Sequence, residues 1–234
     1  MKKRSKRYNA AVKAAGDLSA PRPVADAAAL AITLATAKFP ESIDLSVHLN
    51  LDSKKADQQF RGSFSLPHGT GRTLRVIAFV DDGDKAKAAL DAGAAKAGGE
   101  DLVTAVNDGF MDFDVAIATP KMMRFVGKLG KVLGPRGLMP SPKSGTVTDD
   151  VASAVKEFRA GKIEYRADAQ GNVHIRVGTA KFQPQQIAEN IAAFLAFVND
   201  QRPSSVKGEF VKNIAVASTM GPGIAILIER KQEA

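Results

Sequence analysis

Hydrophobic residues follow two patterns in this chain, one in its outer segments and another in its middle. In the outer segments they alternate with polar residues, a period of two that predicts half-buried strands. Such strands are predicted at residues 43–51, 162–167, 172–177, 212–218 and 224–228. Helices are predicted over Val24–Lys38, which is rich in Ala and Leu and stops before Pro40, and from Pro184 to about Val198. The outer segments therefore predict an α+β unit.

The middle of the chain alternates short apolar strands with helices. The strands are predicted at 74–80 and 115–118, and the helices at 84–90, from about 121, and at 149–159. Thr148 is the predicted N-cap of the last helix and Gly161 suits its end. Residues 127–145 are predicted to form a loop. Strands that alternate with helices in this way predict a small parallel α/β unit.

These two patterns predict a fold of mixed class, α/β and α+β, in which a middle domain is inserted into an outer one. The outer domain is expected to comprise residues 1–67 and 160–234, and the inserted domain residues 68–159. The cluster LPHGTG at residues 66–71 is a predicted turn and hinge between them. With 234 residues, 44% of them hydrophobic, the chain can bury a substantial core.

Charge is distributed unequally between the predicted domains. The net charge is +8, of which residues 68–159 carry +1 and the outer segments +7. This excess favours a polyanionic partner for the outer domain. The first thirteen residues hold six basic side chains and no acid, so we expect a flexible arm that touches nucleic acid. Its principal cations are Lys2, Lys3, Arg4, Lys6 and Arg7.

The residues and motifs of the sequence give little support to a catalytic function. The chain has no Cys, which excludes disulfides, thiolate nucleophiles and cysteine-bound metals, and none of its three His has a metal partner four residues on. Residues 69–73 resemble part of a phosphate-binding loop, but they precede the strand and Arg72 replaces the lysine. Residues 1–37 imitate a signal peptide poorly. We therefore predict a cytoplasmic protein that is no enzyme, with no metal, no nucleotide cofactor and no membrane partner.

Two segments have unusual composition. Residues 115–148 contain no acid but carry six basic residues and five glycines, so they either face RNA or form an ordinary solvated loop. The cations of this segment that could face RNA include Lys128, Lys131, Arg136 and Lys143. The second segment, residues 218–223 (STMGPG), could approach ribose and phosphate closely, although residue types alone favour a plain turn.

Several motifs resemble one family in order along nearly the whole chain, from about residue 2 to 228. The motifs are DSKKADQQFRG (52–62), LPHGTGR (66–72), GGEDL (98–102), DFDVAIATPKMM (112–123), GKLGKVLGPRGLMPSPKSGTV (127–147) and STMGPG (218–223). Together they resemble the bacterial-type large-subunit ribosomal protein one family, the proteins of the mobile stalk beside the tRNA exit site. The resemblance implies an inserted Rossmann-like domain and an outer domain that binds large-subunit ribosomal RNA. It further implies help in releasing deacylated exit-site tRNA, and repression of the protein's own mRNA.

The resemblance also implies which residues face RNA. These are Lys38, Phe39, Ser218, Thr219, Met220 and Gly221, with Asp168 and His174 matching less closely. Phe39 has a competing interpretation, because an aromatic residue at a helix end before Pro40 could simply pack on the core. The Thr219 hydroxyl is expected to bond to RNA from an exposed turn that contributes little to folding. The rival hypothesis is a nucleotide-dependent enzyme that uses the inserted α/β unit.

Overall fold

The computed structural model describes residues 4–52, 55, 58–203, 206 and 208–228. The chain divides into two compact units. The first takes in the ranges Met1–Phe60, Leu66–Gly71 and Tyr165–Ala234, and the second takes in Arg61–Ser65 and Arg72–Glu164. The predicted combination of a split α+β unit and an inserted α/β unit is confirmed.

Seventeen helices and strands make up the part of the chain described above. In chain order they are α1 (Lys6–Ala15), α2 (Val24–Thr33), β1 (Ser42–Leu49), β2 (Arg61–Ser65), β3 (Val76–Phe79), α3 (Gly83–Asp91), β4 (Lys96–Gly98), α4 (Glu100–Asn107), β5 (Val115–Ala118), α5 (Met123–Val126), α6 (Gly130–Leu133), α7 (Val151–Ala160), β6 (Lys162–Arg166), β7 (Asn172–Thr179), α8 (Pro184–Asp200), β8 (Val211–Ser218) and β9 (Ile224–Ala225). Short 3₁₀ turns lie at Gly127–Leu129, Gly134–Arg136 and Pro142–Ser144.

The first unit is built on an antiparallel sheet with strand order β7-β1-β8-β9. Strand β1 alternates as predicted, and Ile43, Leu45, Val47 and Leu49 are at most 1% exposed. Helices α2 and α8 pack against each other and against this sheet. Pro184 begins α8, and Gln183 and Gln186 cap it reciprocally. The helices thus cover one face of the sheet and leave the other for polar side chains.

The second unit contains a parallel sheet with strand order β4-β3-β5. All four residues of β3 are buried, as expected for a strand covered on both faces. One buried cluster includes residues of α3 and α7, and another includes residues of α4, α5 and α6. The hydrophobic pattern did not predict strand β4, because its sequence, KAG, has only three residues, two of them small.

The predicted loop at 127–145 is wrong over its first half, which forms successive helical turns from Met123 to Arg136. Met122, Val126, Leu129 and Leu133 have helical spacing and are at most 3% exposed in the core cluster against the parallel sheet. Burial of this apolar face outweighs the low helix propensity of the glycines between them.

Two predicted helix termini are also wrong. The helix that begins at Val24 ends at Thr33, not Lys38, and the N–H of Ala37 donates instead to the Glu41 carboxylate at 2.7 Å. At α7 the cap is Asp150, whose carboxylate accepts the N–H of Ser153 at 3.1 Å, whereas the Thr148 hydroxyl accepts from Asp150 itself. Gly161 ends α7 in the left-handed conformation, as predicted.

The segment Leu66–Gly71, predicted as a hinge, is fastened to the first unit by Asn190 of α8. This fully buried amide accepts the N–H of His68 at 3.0 Å and donates to the carbonyls of Gly69 and Val177 at 3.0 and 2.8 Å. The two compact units divide after Phe60, Ser65, Gly71 and Glu164, whereas the sequence predicts boundaries at 67/68 and 159/160.

We expect Asn190→Ala to destabilise the first unit by about 2–4 kcal/mol, because it removes the partner of one part-buried N–H and of two buried carbonyls. Both tyrosines of the chain, Tyr8 and Tyr165, belong to this unit, and the chain has no Trp, so tyrosine fluorescence in urea reports its unfolding. Asn199→Ala is the matched control, since Asn199 is exposed on the same helix. Equal urea midpoints for the two variants would contradict the assignment.

Candidate RNA interface

The face of the first unit's sheet opposite α2 and α8 carries pairs of polar side chains from neighbouring strands. Ser46 Oγ lies 2.9 Å from His174 Nδ1, and Asp44 Oδ1 lies 3.7 Å from Arg176 Nε. A third pair joins His48 Nδ1 to Asn172 Oδ1 at 2.7 Å. Paired in this way, the side chains give the sheet a fixed hydrogen-bonding surface.

Lys38 and Phe39 lie in the segment between α2 and β1, and both are exposed. Phe39 is 49% exposed, so it is not the core residue that the competing interpretation required. Lys38 and Phe39 lie several residues beyond the end of α2 and are not at the helix end. An exposed cation and an exposed aromatic ring therefore stand side by side on this segment.

Glu41 fixes the position of this segment. Its side chain is 1% exposed. Oε1 accepts the N–H of Ala37 at 2.7 Å and Oε2 accepts the N–H of Met220 at 2.9 Å. Arg7 of α1 lies 3.6 Å from Oε1 and also donates to the Met220 carbonyl at 3.4 Å. We call these contacts the Glu41 clasp.

The pKa of Glu41 reflects the clasp. Burial raises the pKa, but the N–H groups of Met220 and Ala37, the Ser218 hydroxyl and the Arg7 charge together bring it below the ordinary 4.5. The carboxylate is therefore ionised at neutral pH. One buried charge thus joins α1, the Lys38–Phe39 segment and the turn after β8.

The turn after β8 holds its residues in different environments. Met220 is 51% exposed while its backbone is held at both ends by the clasp, and Ser218 is buried. A Cβ on Gly221 would collide with the Ser218 hydroxyl, which explains the glycine there. A rigid backbone thus presents an exposed thioether.

The Thr219 hydroxyl already has protein partners, contrary to the expectation that this turn contributes little to folding. It accepts the N–H of Ser42 at 2.9 Å and lies 2.9 Å from the Ser42 hydroxyl. Because these bonds join the turn to the start of β1, a Thr219→Val substitution also changes the fold locally. It is not the neutral turn substitution that the sequence predicts.

Asp168 and His174 lie apart from the clasp. Asp168 is in the turn before β7, which adjoins the end of β1 opposite Ser42, about 20 Å along the strand. The N–H and side-chain amide of Asn172 hold its pKa below 3.8 and fix its orientation. His174 pairs with Ser46 midway along the open face. The structure therefore distributes the predicted residues along the length of the sheet and does not gather them at one place.

The basic arm is helical from Lys6, which differs from the flexible arm that composition predicted. Ser5 caps α1, and Ala11 and Ala15 are buried, so packing of small residues orders the helix despite its charge. Arg4 lies over the Tyr8 ring at 4.7 Å, and Lys6 is exposed. Lys2 and Lys3 lie outside the described residues.

The cations Lys128, Lys131, Arg136 and Lys143 belong to the second unit, and all four are exposed. The first three lie on the helical turns between 127 and 136, and Lys143 on the 3₁₀ turn Pro142–Ser144. They are therefore not part of the unit that contains the Glu41 clasp.

Comparison with known proteins identifies the family of this chain. The model of the ribosomal protein L1p/L10e family matches residues 31–222. The chain belongs to this family. It is 50% identical over 227 residues to the large ribosomal subunit protein uL1 of Thermosipho melanesiensis, a match that covers 97% of both chains. It is 48% identical over 226 residues to the uL1 protein of Cutibacterium acnes, covering 96% of each.

Membership of this family makes the chain a ribosomal protein of the cytoplasm and not an enzyme, so the nucleotide-dependent enzyme hypothesis is wrong. Among the residues that the structure describes, no cluster of His, Asp and Glu is suited to hold a metal ion. The helices in that part of the chain are also too short or too polar to cross a membrane.

Sequence reasoning missed Glu41, although the chain carries a signal for it. The buried positions of β1 are odd-numbered, and continuing the alternation back by one step places Glu41 on the buried side. A carboxylate at a buried position requires hydrogen-bond donors or a cation. The spacing could not reveal that these partners come from Arg7 and Met220, which are 213 residues apart.

We expect Glu41→Gln to lower the free energy of unfolding of the first unit by about 1–3 kcal/mol at pH 7, because an amide offers one acceptor oxygen where the carboxylate offers two. The pKa of Glu41 is lower in the folded protein than the 4.5 of a free side chain. Its stabilisation is therefore complete above about pH 4.5 and disappears as pH falls through the folded pKa. Tyrosine-monitored urea unfolding between pH 7 and 3 measures this difference.

Asp91→Asn is the control, since Asp91 is an exposed carboxylate at the end of α3. A gap between parent and Glu41→Gln that stays constant down to pH 3 would show that the Glu41 charge contributes nothing.

Proposed function

We propose that the first unit binds large-subunit ribosomal RNA through the exposed residues around the Glu41 clasp and along the open face of the sheet. The contacts at the clasp come from Lys38, Phe39, Thr219, Met220 and Gly221, and those farther along the face from Asp168 and His174. Ser218, which the resemblance also implies, is 4% exposed, so its side chain is not among these contacts. Membership of a ribosomal family supports an RNA partner, and the +7 charge of the outer segments supports a polyanion.

The observation that carries the proposal is the pair of exposed apolar side chains on fixed backbone. Phe39 and Met220 are about half exposed, and both belong to segments whose backbone N–H groups bind one carboxylate. Exposure of two apolar side chains to water is unfavourable, whereas packing of the same side chains against the faces of bases and sugars is favourable. A rigid apolar surface beside Lys38 selects an RNA shape, and the cation neutralises a phosphate beside it.

Phosphate neutralisation by α1 and the residues before it would add affinity without sequence preference. Arg4 and Lys6 are exposed on or next to α1, and Lys2 and Lys3 precede it in the chain. Arg7 has a different part, because its guanidinium is committed to Glu41 and Met220. It supports the binding surface and is not a free phosphate ligand.

As part of the same proposal, the protein stands in the mobile stalk of the large subunit and helps deacylated tRNA to leave the exit site. The support is its family and its close likeness to large-subunit relatives.

Repression of its own mRNA completes the proposal. A surface with a fixed backbone recognises RNA by shape, so a messenger segment that folds like the ribosomal site would compete for it. We expect the leader of the protein's own mRNA to displace a labelled ribosomal RNA fragment from the full chain. An unrelated hairpin of equal length is the control. Equal displacement by both RNAs would refute this part of the proposal.

We expect Met220→Ala and Phe39→Ala each to weaken binding of a large-subunit ribosomal RNA fragment about 5- to 50-fold, because each loses apolar contact with a base or sugar. The slope of log K against log salt should not change, since no charge is removed. Filter binding at four salt concentrations measures both quantities.

Leu90→Ala is the matched control, because Leu90 is 46% exposed but belongs to α3 of the second unit. Thermal unfolding of all three variants shows whether the fold is retained. Parental affinity of both Met220→Ala and Phe39→Ala, with folds intact, would overturn the assignment of this surface.

A further inference from the structure

Three polar side chains are joined by hydrogen bonds where the end of β1 meets the start of β7. Asp168, in the turn before β7, accepts the side-chain N–H of Asn172 at its Oδ2, 3.1 Å away. Asn172 lies opposite His48 of β1, and its Oδ1 is 2.7 Å from Nδ1 of the imidazole ring. We call these three side chains the His48 network.

The direction of each bond in the His48 network follows from the carboxylate. The backbone and side-chain N–H groups of Asn172 hold the pKa of Asp168 below 3.8, so at neutral pH its side chain only accepts hydrogen bonds. The NH₂ group of Asn172 must therefore face Asp168, and the amide oxygen must face His48. Because an amide oxygen also only accepts, Nδ1 of His48 carries the hydrogen. In the neutral ring, Nε2 is then left with a lone pair.

Backbone contacts hold the network in this orientation. Asp168 Oδ1 accepts the N–H groups of Gln170 and Asn172, both at 2.8 Å, and the N–H of Asp168 donates to the carbonyl of Asn172 at 2.8 Å. Gly171 lies so close to the Leu49 carbonyl that a Cβ on it would be 2.7 Å from that oxygen. The turn has little freedom, so the orientation of the network is part of the fold.

The other two histidines of the chain have different partners. His174 Nδ1 lies 2.9 Å from the hydroxyl of Ser46, which can donate or accept, so this bond does not determine a tautomer. His68 pairs with the Glu189 carboxylate through Nε2, which must then be a donor. His48 differs from both, because its Nε2 is an acceptor. Within the ranges that the structure describes, no group bonds to this atom.

We propose that Nε2 of His48 accepts a hydrogen bond from a ribose 2′-hydroxyl, so that this end of the sheet distinguishes RNA from DNA. A phosphodiester has no hydrogen to donate, whereas the 2′-hydroxyl does, and A-form RNA displays these hydroxyls in its wide minor groove. Base amino groups, the other donors of RNA, are engaged in base pairs within a helix. This recognition rests on the proposed function, to which it adds His48 and the chemical group that His48 binds. Asp168 serves it as a positioning residue, acting through Asn172.

Ring-nitrogen NMR on the full chain tests the network. The chain has three histidines, so ¹⁵N-labelled histidine gives three pairs of ring signals, which single His→Phe substitutions assign. At pH 8, where neutral imidazole prevails, His48 should have a protonated Nδ1 and an unprotonated Nε2. Asp168→Asn should exchange these two states. Its oxygen is retained by the two backbone N–H groups at Oδ1, so its NH₂ group faces Asn172 and turns the NH₂ of that amide toward the ring.

Asp26→Asn is the control for this exchange, because Asp26 is an exposed carboxylate on α2, which covers the other face of the sheet. It should leave all three pairs of signals unchanged. An unprotonated Nδ1 of His48 in the parent, or the same tautomer in the parent and in Asp168→Asn, would overturn the inference.

Binding measurements test the hydroxyl. A large-subunit ribosomal RNA fragment receives a 2′-fluoro group at one nucleotide at a time, which keeps the A-form sugar pucker and removes the donor. At one nucleotide this change should weaken binding to the parent about 3- to 15-fold. In His48→Phe, which keeps a ring but has no nitrogen in it, fluorination of the same nucleotide should have no effect. His174→Phe removes a ring from the same face and should retain the 3- to 15-fold loss.

A second measurement does not depend on the folding of any variant. The unmodified fragment should shift the Nε2 signal of His48 in the parent, and the fragment fluorinated at the responsive nucleotide should not. If the parent binds the fragment but no fluorinated nucleotide depends on His48, the inference is overturned and the proposed function stands. Dependence on a base amino group instead, seen when inosine replaces guanosine, would also overturn it. Failure of the parent to bind the fragment would refute the proposed function itself.

Discussion

The buried carboxylate of Glu41 is the constraint on which the proposed RNA-facing surface depends. Removing a charge from water is unfavourable unless hydrogen bonds and an opposite charge replace the water. In this protein the N–H groups of Ala37 and Met220 and the guanidinium of Arg7 supply them. Each comes from a different part of the chain, so satisfying one side chain also fixes three segments. The exposed apolar groups of this surface therefore stand on backbone that has little freedom to retreat into the core.

The two units present different kinds of surface. The first combines an apolar pair with fixed hydrogen-bonding groups, a combination suited to shape. The second places cations along a helix whose other side is core, a combination suited to regularly spaced charge. The family likeness covers both units, since the matched region runs from residue 31 to 222.

The hydrophobic pattern was sufficient to predict the fold class and most strands, because a period of two is a local property. It failed where tertiary contacts prevail over local preference, as at α2, which ends early beside Glu41, and at 123–136, where burial overrides glycine. At the site, the exposure of Phe39 excludes its core-packing interpretation, and the RNA contacts that the resemblance implies stay a prediction. The bonds of Thr219 to Ser42 and of Glu41 to Met220 could not be predicted, because pairing across 177 residues or more leaves no trace in spacing.

The position of β1 has a consequence for synthesis of the protein. This strand lies between β7 and β8, both of which are translated more than a hundred residues later. At roughly 5–20 residues per second, both of its edges stay unpaired for on the order of ten seconds as the chain leaves the ribosome. The parallel sheet of the second unit, in contrast, comes from one continuous stretch and can form first. The second unit can thus fold while the sheet of the first unit is still incomplete. Completion of that sheet is a late step, because it requires contacts between distant parts of the chain.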